Sequence, residues 1–259
     1  MTFLLGRIAV GFAAIMLSTQ AIVAAELKVL TTPALTEVWH DLKPKFEATG
    51  ASGHKLILVY APSGAITKRI TEGEIYDVLF TTTGGIDTLI KSGKVIVGTG
   101  TPIASSGMSV AVLKGASKPD ISTPEKFRQA LLNAKAVAYT DPASGGASGV
   151  HMAKVLERLG ISNEINAKAK FGRGVPTASF VVKGEADIAI QQLPELLGVP
   201  GVEIVGPLPG DLQNVTPFAG GVHTGSANPD AGRALLKFLQ SPDAIAVIKA
   251  RGLEPPATP

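Results

Sequence analysis

Asp141-Pro142-Ala143-Ser144-Gly145-Gly146-Ala147-Ser148-Gly149 lies between the apolar run Ala136 to Tyr139 and a helical pattern from Val150 to Leu159. A strand that ends in a Gly/Ser turn and passes straight into a helix brings unpaired backbone N–H groups and hydroxyls toward one point, which suits a small anion. Such a stretch binds without itself supplying a catalytic group. Its plainer reading is a tight strand-to-helix loop made by Asp-Pro and Gly-Gly. A second turn of the same kind, Ala61-Pro62-Ser63-Gly64, favours the binding reading.

Toward the N-terminus the same unit recurs. Leu27 to Leu30 reads as a strand, followed by Thr31-Thr32-Pro33 and a helix over Ala34 to Ala48 whose Val38, Leu42 and Phe46 share one face. Lys55 to Tyr60 reads as a second strand, and Ser63 is placed to cap a helix from Ala65 to Thr71; an ordinary cap needs no ligand. Asp77 to Phe80 reads as a third strand, ending in Thr81-Thr82-Thr83-Gly84-Gly85 before a helix over Ile86 to Ser92. Hydroxyls therefore gather at the carboxyl ends of successive strands, the edge at which open α/β sheets bind ligands.

Gly100 to Ser106 reads as a crossing segment, Met108 to Leu113 as a strand and Thr123 to Asn133 as a helix. Ala186 to Ile190 is another apolar strand, with Gln191 and Gln192 at its end. Val202 to Val205 and the prolines 207, 209 and 217 read as a return crossing, and helices over Pro229 to Leu239 and Pro242 to Ala250 close the chain. Two crossings predict an α/β fold of two lobes, each a βα sheet, joined by two crossing strands: residues 26–104 with 212–259 form lobe 1, and 105–211 form lobe 2. The cleft between such lobes is the natural ligand site, and hinge motion can close it.

Arg7, the apolar run Ile8 to Leu17 and the small-residue end Val23-Ala24-Ala25 predict a secretory signal over residues 1–25, and hence a periplasmic protein. The chain has no Cys, which excludes a lipid-anchored lipoprotein, disulfides and thiol chemistry. Without the signal the formal charge is +2, with basic residues scattered and few aromatics among them, so nucleic acid is not an expected partner. Gly145 to Gly149 is followed by Val150 rather than the lysine of a phosphate-binding loop, and Gly172 to Thr177 lacks the last glycine of a dinucleotide fingerprint. No two histidines have metal-site spacing, and no metal or cofactor is expected.

Leu35-Thr36, Ser63-Gly64 to Ile70, Gly73 to Asp77, Asp141-Pro142, Gly149 to Gly160, Gly184-Glu185-Ala186-Asp187 and Phe238-Leu239 to Gly252, in this order and spacing, resemble the molybdate-binding proteins of bacterial ABC importers. That resemblance implies the type II periplasmic binding protein fold, a small anionic ligand, a monomer and an ABC permease as partner. It carries the oxyanion-holding positions to Ser63, the amides of Ala147 to Gly149 and the amide of Val175. The serine of the first turn corresponds to Ala34, beside Thr31 and Thr32, and the family's tyrosine to Gln192. These replacements point to a larger, less regular anion, for which Gln191 and Gln192 offer amide donors and Arg173 a paired-donor clamp. The expected ligand set is Thr31, Thr32, Ser63, Gly64, Thr81, Ser144, Ser148, Gly149, Arg173, Val175 and Gln192, with Tyr60 nearby.

The Asp-Pro-Ala-Ser-Gly-Gly and Gln-Gln features also resemble a branch of this family that includes aconitate isomerase. Isomerisation needs a group that removes a proton alpha to a carboxylate and returns one further along. His151, on the first turn after Gly149, is the expected base, since imidazole titrates near neutral pH; a lone helical histidine is otherwise structural or solvated.

Overall fold

The computed structural model describes residues 26–49 and 54–256; the expected signal segment lies outside them. Along the chain run β1 (Glu26–Thr31), α1 (Thr36–Ala48), β2 (Lys55–Tyr60), α2 (Ser63–Thr71), β3 (Val78–Thr82), α3 (Thr83–Lys91), β4 (Thr101–Leu113), α4 (Pro124–Asn133) and β5 (Val137–Thr140). Then follow α5 (Ala147–Arg158), α6 (Ser162–Asn166), β6 (Ala169–Gly172), α7 (Ala178–Val182), β7 (Ile188–Gln192), α8 (Leu193–Leu197), β8 (Val202–Pro207), β9 (Val215–Val222), α9 (Pro229–Leu239) and α10 (Pro242–Ala250). Short 3-10 turns, Pro33–Leu35 and Pro142–Ser144, precede α1 and α5. Among the described residues no helix is long and apolar enough to cross a membrane.

The strands form two halves of the same design. One runs β2-β1-β3-β9-β4 and the other β6-β5-β7-β4-β8, with β1, β2 and β3 parallel in the first and β5, β6 and β7 parallel in the second. β4 belongs to both: Thr101 to Gly107 pairs antiparallel with β9, and Met108 to Ala111 pairs antiparallel with β7. Trp39, Phe80 and Phe218 anchor a core in the first half, and Phe127, Tyr139 and Met152 anchor one in the second.

One expected crossing is as read and the other needs correction. Gly100 to Ser106 leads into and forms the first half of β4, the strand that passes from one half to the other; from Thr101 onward its backbone groups have partners on β9, so Pro102 and the Ser/Gly content do not break the strand. Val202 to Val205 is not a crossing but part of β8, paired with the second half of β4. The return is β9, whose Pro217 is tolerated because β3 pairs only Phe218 to Val222, leaving Pro217 with a single neighbour, Ser105.

Each half is tied at its amino edge by an aspartate. Asp77 Oδ2 accepts the Lys28 amide ahead of Val29 on β1 at 2.8 Å, and its Oδ1 accepts Ser226 Oγ at 2.7 Å and the Asn228 amide at 3.3 Å, just before α9. Asp187 Oδ2 accepts the Lys135 amide at 2.5 Å just ahead of β5, repeating the contact in the second half. Asp77 is 6% exposed, and its removal takes the acceptor from three part-buried hydrogen bonds at once. Asp77→Ala is expected to lower the unfolding free energy by about 3 kcal/mol, read by urea denaturation; a loss under about 1 kcal/mol would contradict this tie.

Candidate functional site

The carboxyl ends of both parallel sheets open on a cavity of about 350 Å³. From the first half come Thr32, after β1, and Ser63, the first residue of α2; from the second come Thr140, the last residue of β5, and Ser148, in the first turn of α5. The hydroxyls stand in matched pairs: Ser63 Oγ donates to Thr32 Oγ1 at 3.4 Å, and Thr140 Oγ1 lies 3.0 Å from Ser148 Oγ. Two hydroxyls that share one hydrogen bond keep one proton to donate elsewhere, so each pair can serve an anion. α5 starts at Ala147 without a side-chain cap, because Gly146 occupies the N-cap, and Ala147 and Ser148 both line the cavity. Its first-turn amides and positive dipole end therefore face whatever binds there.

Of the expected ligand residues, Thr32, Ser63, Ser144, Ser148, Val175 and Gln192 line this cavity. Thr31, Gly64, Thr81, Gly149 and Arg173 are not among the lining residues, and each has another task. Thr31 Oγ1 accepts the buried Trp39 indole N–H at 2.9 Å, and Thr81 Oγ1 donates to the Ser63 carbonyl at 3.1 Å, holding the first turn of α2. Gly64 N donates across the cleft to the Gly145 carbonyl at 3.0 Å. Gly149 sits against the end of β5, where a Cβ would meet Thr140 O at 2.5 Å. The Arg173 guanidinium is not a ligand clamp: its Nε lies 2.6 Å from Asp141 Oδ2, its side chain is 72% exposed, and it holds the Asp141 carboxyl below the usual carboxylate range.

Two placements change the chemistry expected from the sequence. Ser63 is not a capping residue: Pro62 is the N-cap, and the serine hydroxyl is turned to Thr32 rather than to the helix amides. His151 does not line the cavity; its ring Nε2 lies 2.8 Å from the Leu212 carbonyl oxygen, a contact that ties α5 to the chain just before β9.

The lining also holds residues the sequence reading passed over. Glu37 of α1 and Glu195 of α8 both line the cavity, as does Tyr60. Burial and then the Glu37 charge push the Tyr60 phenol up, so it is a neutral donor at neutral pH. Burial pushes the Glu195 carboxyl up to about 8, against a smaller opposing effect of the Gln191 amide. Only the Pro at the second position of α8 hints at a helix here, and no local pattern marks the half-buried Glu195 as a cavity residue.

Gln192 carries the most telling defect. Its Nε2 donates to Thr216 Oγ1 at 3.0 Å, where Asn214 Nδ2 also donates at 3.1 Å, and its Oε1 is buried without a partner. Turning the amide over changes its sign: the Thr216 hydroxyl then donates to Oε1, and the atom left without a protein partner is Nε2, a donor that a ligand acceptor would satisfy.

Comparison with known proteins places the chain in a family and a fold. The chain is 36% identical over 257 residues to an aconitate isomerase from a Pseudomonas species, covering 95% of this chain and 96% of that protein. It is 28% identical to the molybdate-binding protein ModA of Azotobacter vinelandii, over 97% of this chain and 98% of that one. Among solved structures, the periplasmic molybdate-binding protein of Azotobacter vinelandii superposes with a TM-score of 0.73 at 21% identity, covering 89% of this chain and 99% of that chain. The sulfate-binding protein SubI of Mycobacterium tuberculosis gives 0.70 at 20% identity, over 90% and 88%. These neighbours share the type II periplasmic binding protein fold. From residue 27 to residue 254 the chain matches the model of the bacterial extracellular solute-binding proteins, and it belongs to that family.

Proposed function

We propose that the protein works in the periplasm and takes a small di- or tricarboxylate into the cleft, with the aconitates as the first ligands to try, for delivery to an ABC permease. The observation that carries this reading is the convergence of two hydroxyl pairs, one from each half, and the uncapped start of α5 on one cavity. Neutral donors of this kind hold an anion without a counter-charge, as helix N-termini do for phosphates and sulfates. About 350 Å³ lies at the small end of ligand pockets, which run from about 300 to about 1,000 Å³. Ala34 and Gln192 stand where the molybdate family's serine and tyrosine are expected, which favours a carboxylate over a compact tetrahedral oxyanion.

A second reading is that the same site isomerises aconitate. The full-length likeness to an aconitate isomerase favours it, as do two carboxyl side chains in the cavity. In that reaction the methylene of one arm loses a proton, the double bond moves to that arm, and the carbon it leaves gains a proton. Constitution is kept and geometry inverted. Glu37 and Glu195 are the acids positioned for this transfer, in place of His151.

Calorimetric titration of the protein with both aconitates, citrate, molybdate and sulfate tests the first reading, and a spectrophotometric assay of aconitate interconversion tests the second. Binding of an aconitate in preference to molybdate is expected. Tight molybdate binding with no heat from any carboxylate would overturn the proposal. Turnover of bound aconitate would establish the enzyme; a ligand returned unchanged would leave the carrier.

A further inference from the structure

We propose that Glu195 enters the cleft as a neutral carboxylic acid and donates a hydrogen bond to a carboxylate of the ligand, so that binding of the anion is linked to a proton. This rests on the carboxylate reading of the site and adds the group that makes such a ligand tolerable there.

The geometry starts at Thr177. Its backbone N–H and its hydroxyl both donate to Gln191 Oε1, at 2.9 and 2.8 Å. A backbone N–H can only donate, so the Gln191 amide has one possible orientation, with Nε2 directed away from Thr177. Nε2 donates to Glu195 Oε2 at 2.6 Å. Gln191 is 4% exposed, so this relay is fixed by packing. One Glu195 oxygen is thereby held as an acceptor, and a proton on the carboxyl belongs on the other oxygen.

The charge around the site demands such a proton. Among the described residues that line it there is no Lys, Arg or His; the ionisable ones are Glu37, Glu195 and Tyr60. α8 packs on the 3-10 turn Pro33–Leu35, α1, β4, β7 and β8. The turn, β4 and β7 carry no titratable side chain, and Glu203 of β8 is ion-paired with Lys118 at 2.7 Å. From α1 comes Glu37, whose Oε2 has Arg251 Nη1 at 3.5 Å, while that guanidinium is also hydrogen-bonded to both oxygens of Asp41, at 2.7 and 2.8 Å. An ionised Glu195 would put a second, uncompensated negative charge against a polyanion in a poorly hydrated pocket. Protonated, it becomes a donor instead. Burial, which raises this carboxyl to about 8, acts in the same direction.

Two measurements test the assignment. In ligand-free protein, carbon-13 NMR of the glutamate carboxyls, with the Glu195 signal identified by its loss in Glu195→Gln, is expected to give a midpoint near 8. A midpoint near the ordinary 4.5 would overturn the proposal whatever the ligand proves to be. Calorimetry with trans-aconitate should then show affinity falling by about tenfold per pH unit above about pH 8 in the wild type. Glu195→Gln keeps a neutral donor, and its affinity should be flat over the same range. Equal pH slopes in the two proteins would overturn the proposal. If no carboxylate binds at any pH while the NMR midpoint stays high, the carboxylate reading fails and the donor role falls with it, leaving only the neutral acid.

Discussion

Gly149→Ala is expected to weaken carboxylate binding by about 100-fold and to lower the unfolding free energy by about 2–3 kcal/mol. In an ordinary helix the same change would stabilise by about 1 kcal/mol, because alanine is the better helix former. Here the added Cβ would lie 2.5 Å from Thr140 O, 3.0 Å from Thr140 C and 3.1 Å from Asp141 O. All three are backbone atoms at the end of β5 and the turn beyond it, so no side chain can swing aside. Relief requires the first turn of α5 to move away from the strand, and that turn carries Ser148 and the amides at the cavity. A displacement near 1 Å of a binding group costs about 100-fold in related settings. Urea denaturation and calorimetry with an aconitate read the two effects; a variant that keeps both stability and affinity would refute this account of α5.

The second large effect is expected at Gly64, and it separates binding from stability. Gly64 N donates to Gly145 O at 3.0 Å, a backbone bond between the start of α2 in one half and the turn before α5 in the other. A Cβ on Gly64 would come within 2.8 Å of that same oxygen. Gly145 has φ +71°, a left-handed conformation that favours glycine at this point of the contact. Because the contact joins the halves rather than filling either core, Gly64→Val should fold with near-normal stability while holding the cleft ajar. If the closed arrangement becomes about 100-fold less populated, apparent affinity falls by about the same factor. Small-angle scattering with and without ligand should show compaction in the wild type and none in the variant; unchanged affinity would mean that the two glycines do not meet in the bound state.

Much of this architecture is readable from local pattern. The βα units of the first half follow from short apolar strands, hydroxyl-rich turns and helix faces such as Val38, Leu42 and Phe46, all of which are buried or nearly so. Thr32, Ser63, Ser144 and Ser148 could be found because turn chemistry puts hydroxyls at strand ends, and all four line the cavity. What the sequence does not carry is which of several adjacent hydroxyls faces inward. Thr31 and Thr32 are neighbours with opposite fates, one bound to Trp39 and the other at the cleft, as strand alternation requires. Thr101 to Gly107 is legible as a crossing, but not its partner, because its pairing with β9 joins residues more than a hundred positions apart. Glu195 was illegible for the same reason: its half-buried place comes from the meeting of α8 with α1 and the turn at Pro33–Leu35. His151 misled because its partner, the Leu212 carbonyl, is likewise remote in sequence.

The central claim is that the strand ends of the two halves hold one small carboxylate between them. A crystal structure of the protein grown with trans-aconitate tests it most directly. The account predicts ligand density within hydrogen-bond distance of the Ser63 and Ser148 hydroxyls and the first amides of α5, with a carboxylate against Glu195. Density elsewhere on the surface, or an empty cleft at saturating ligand, would contradict it.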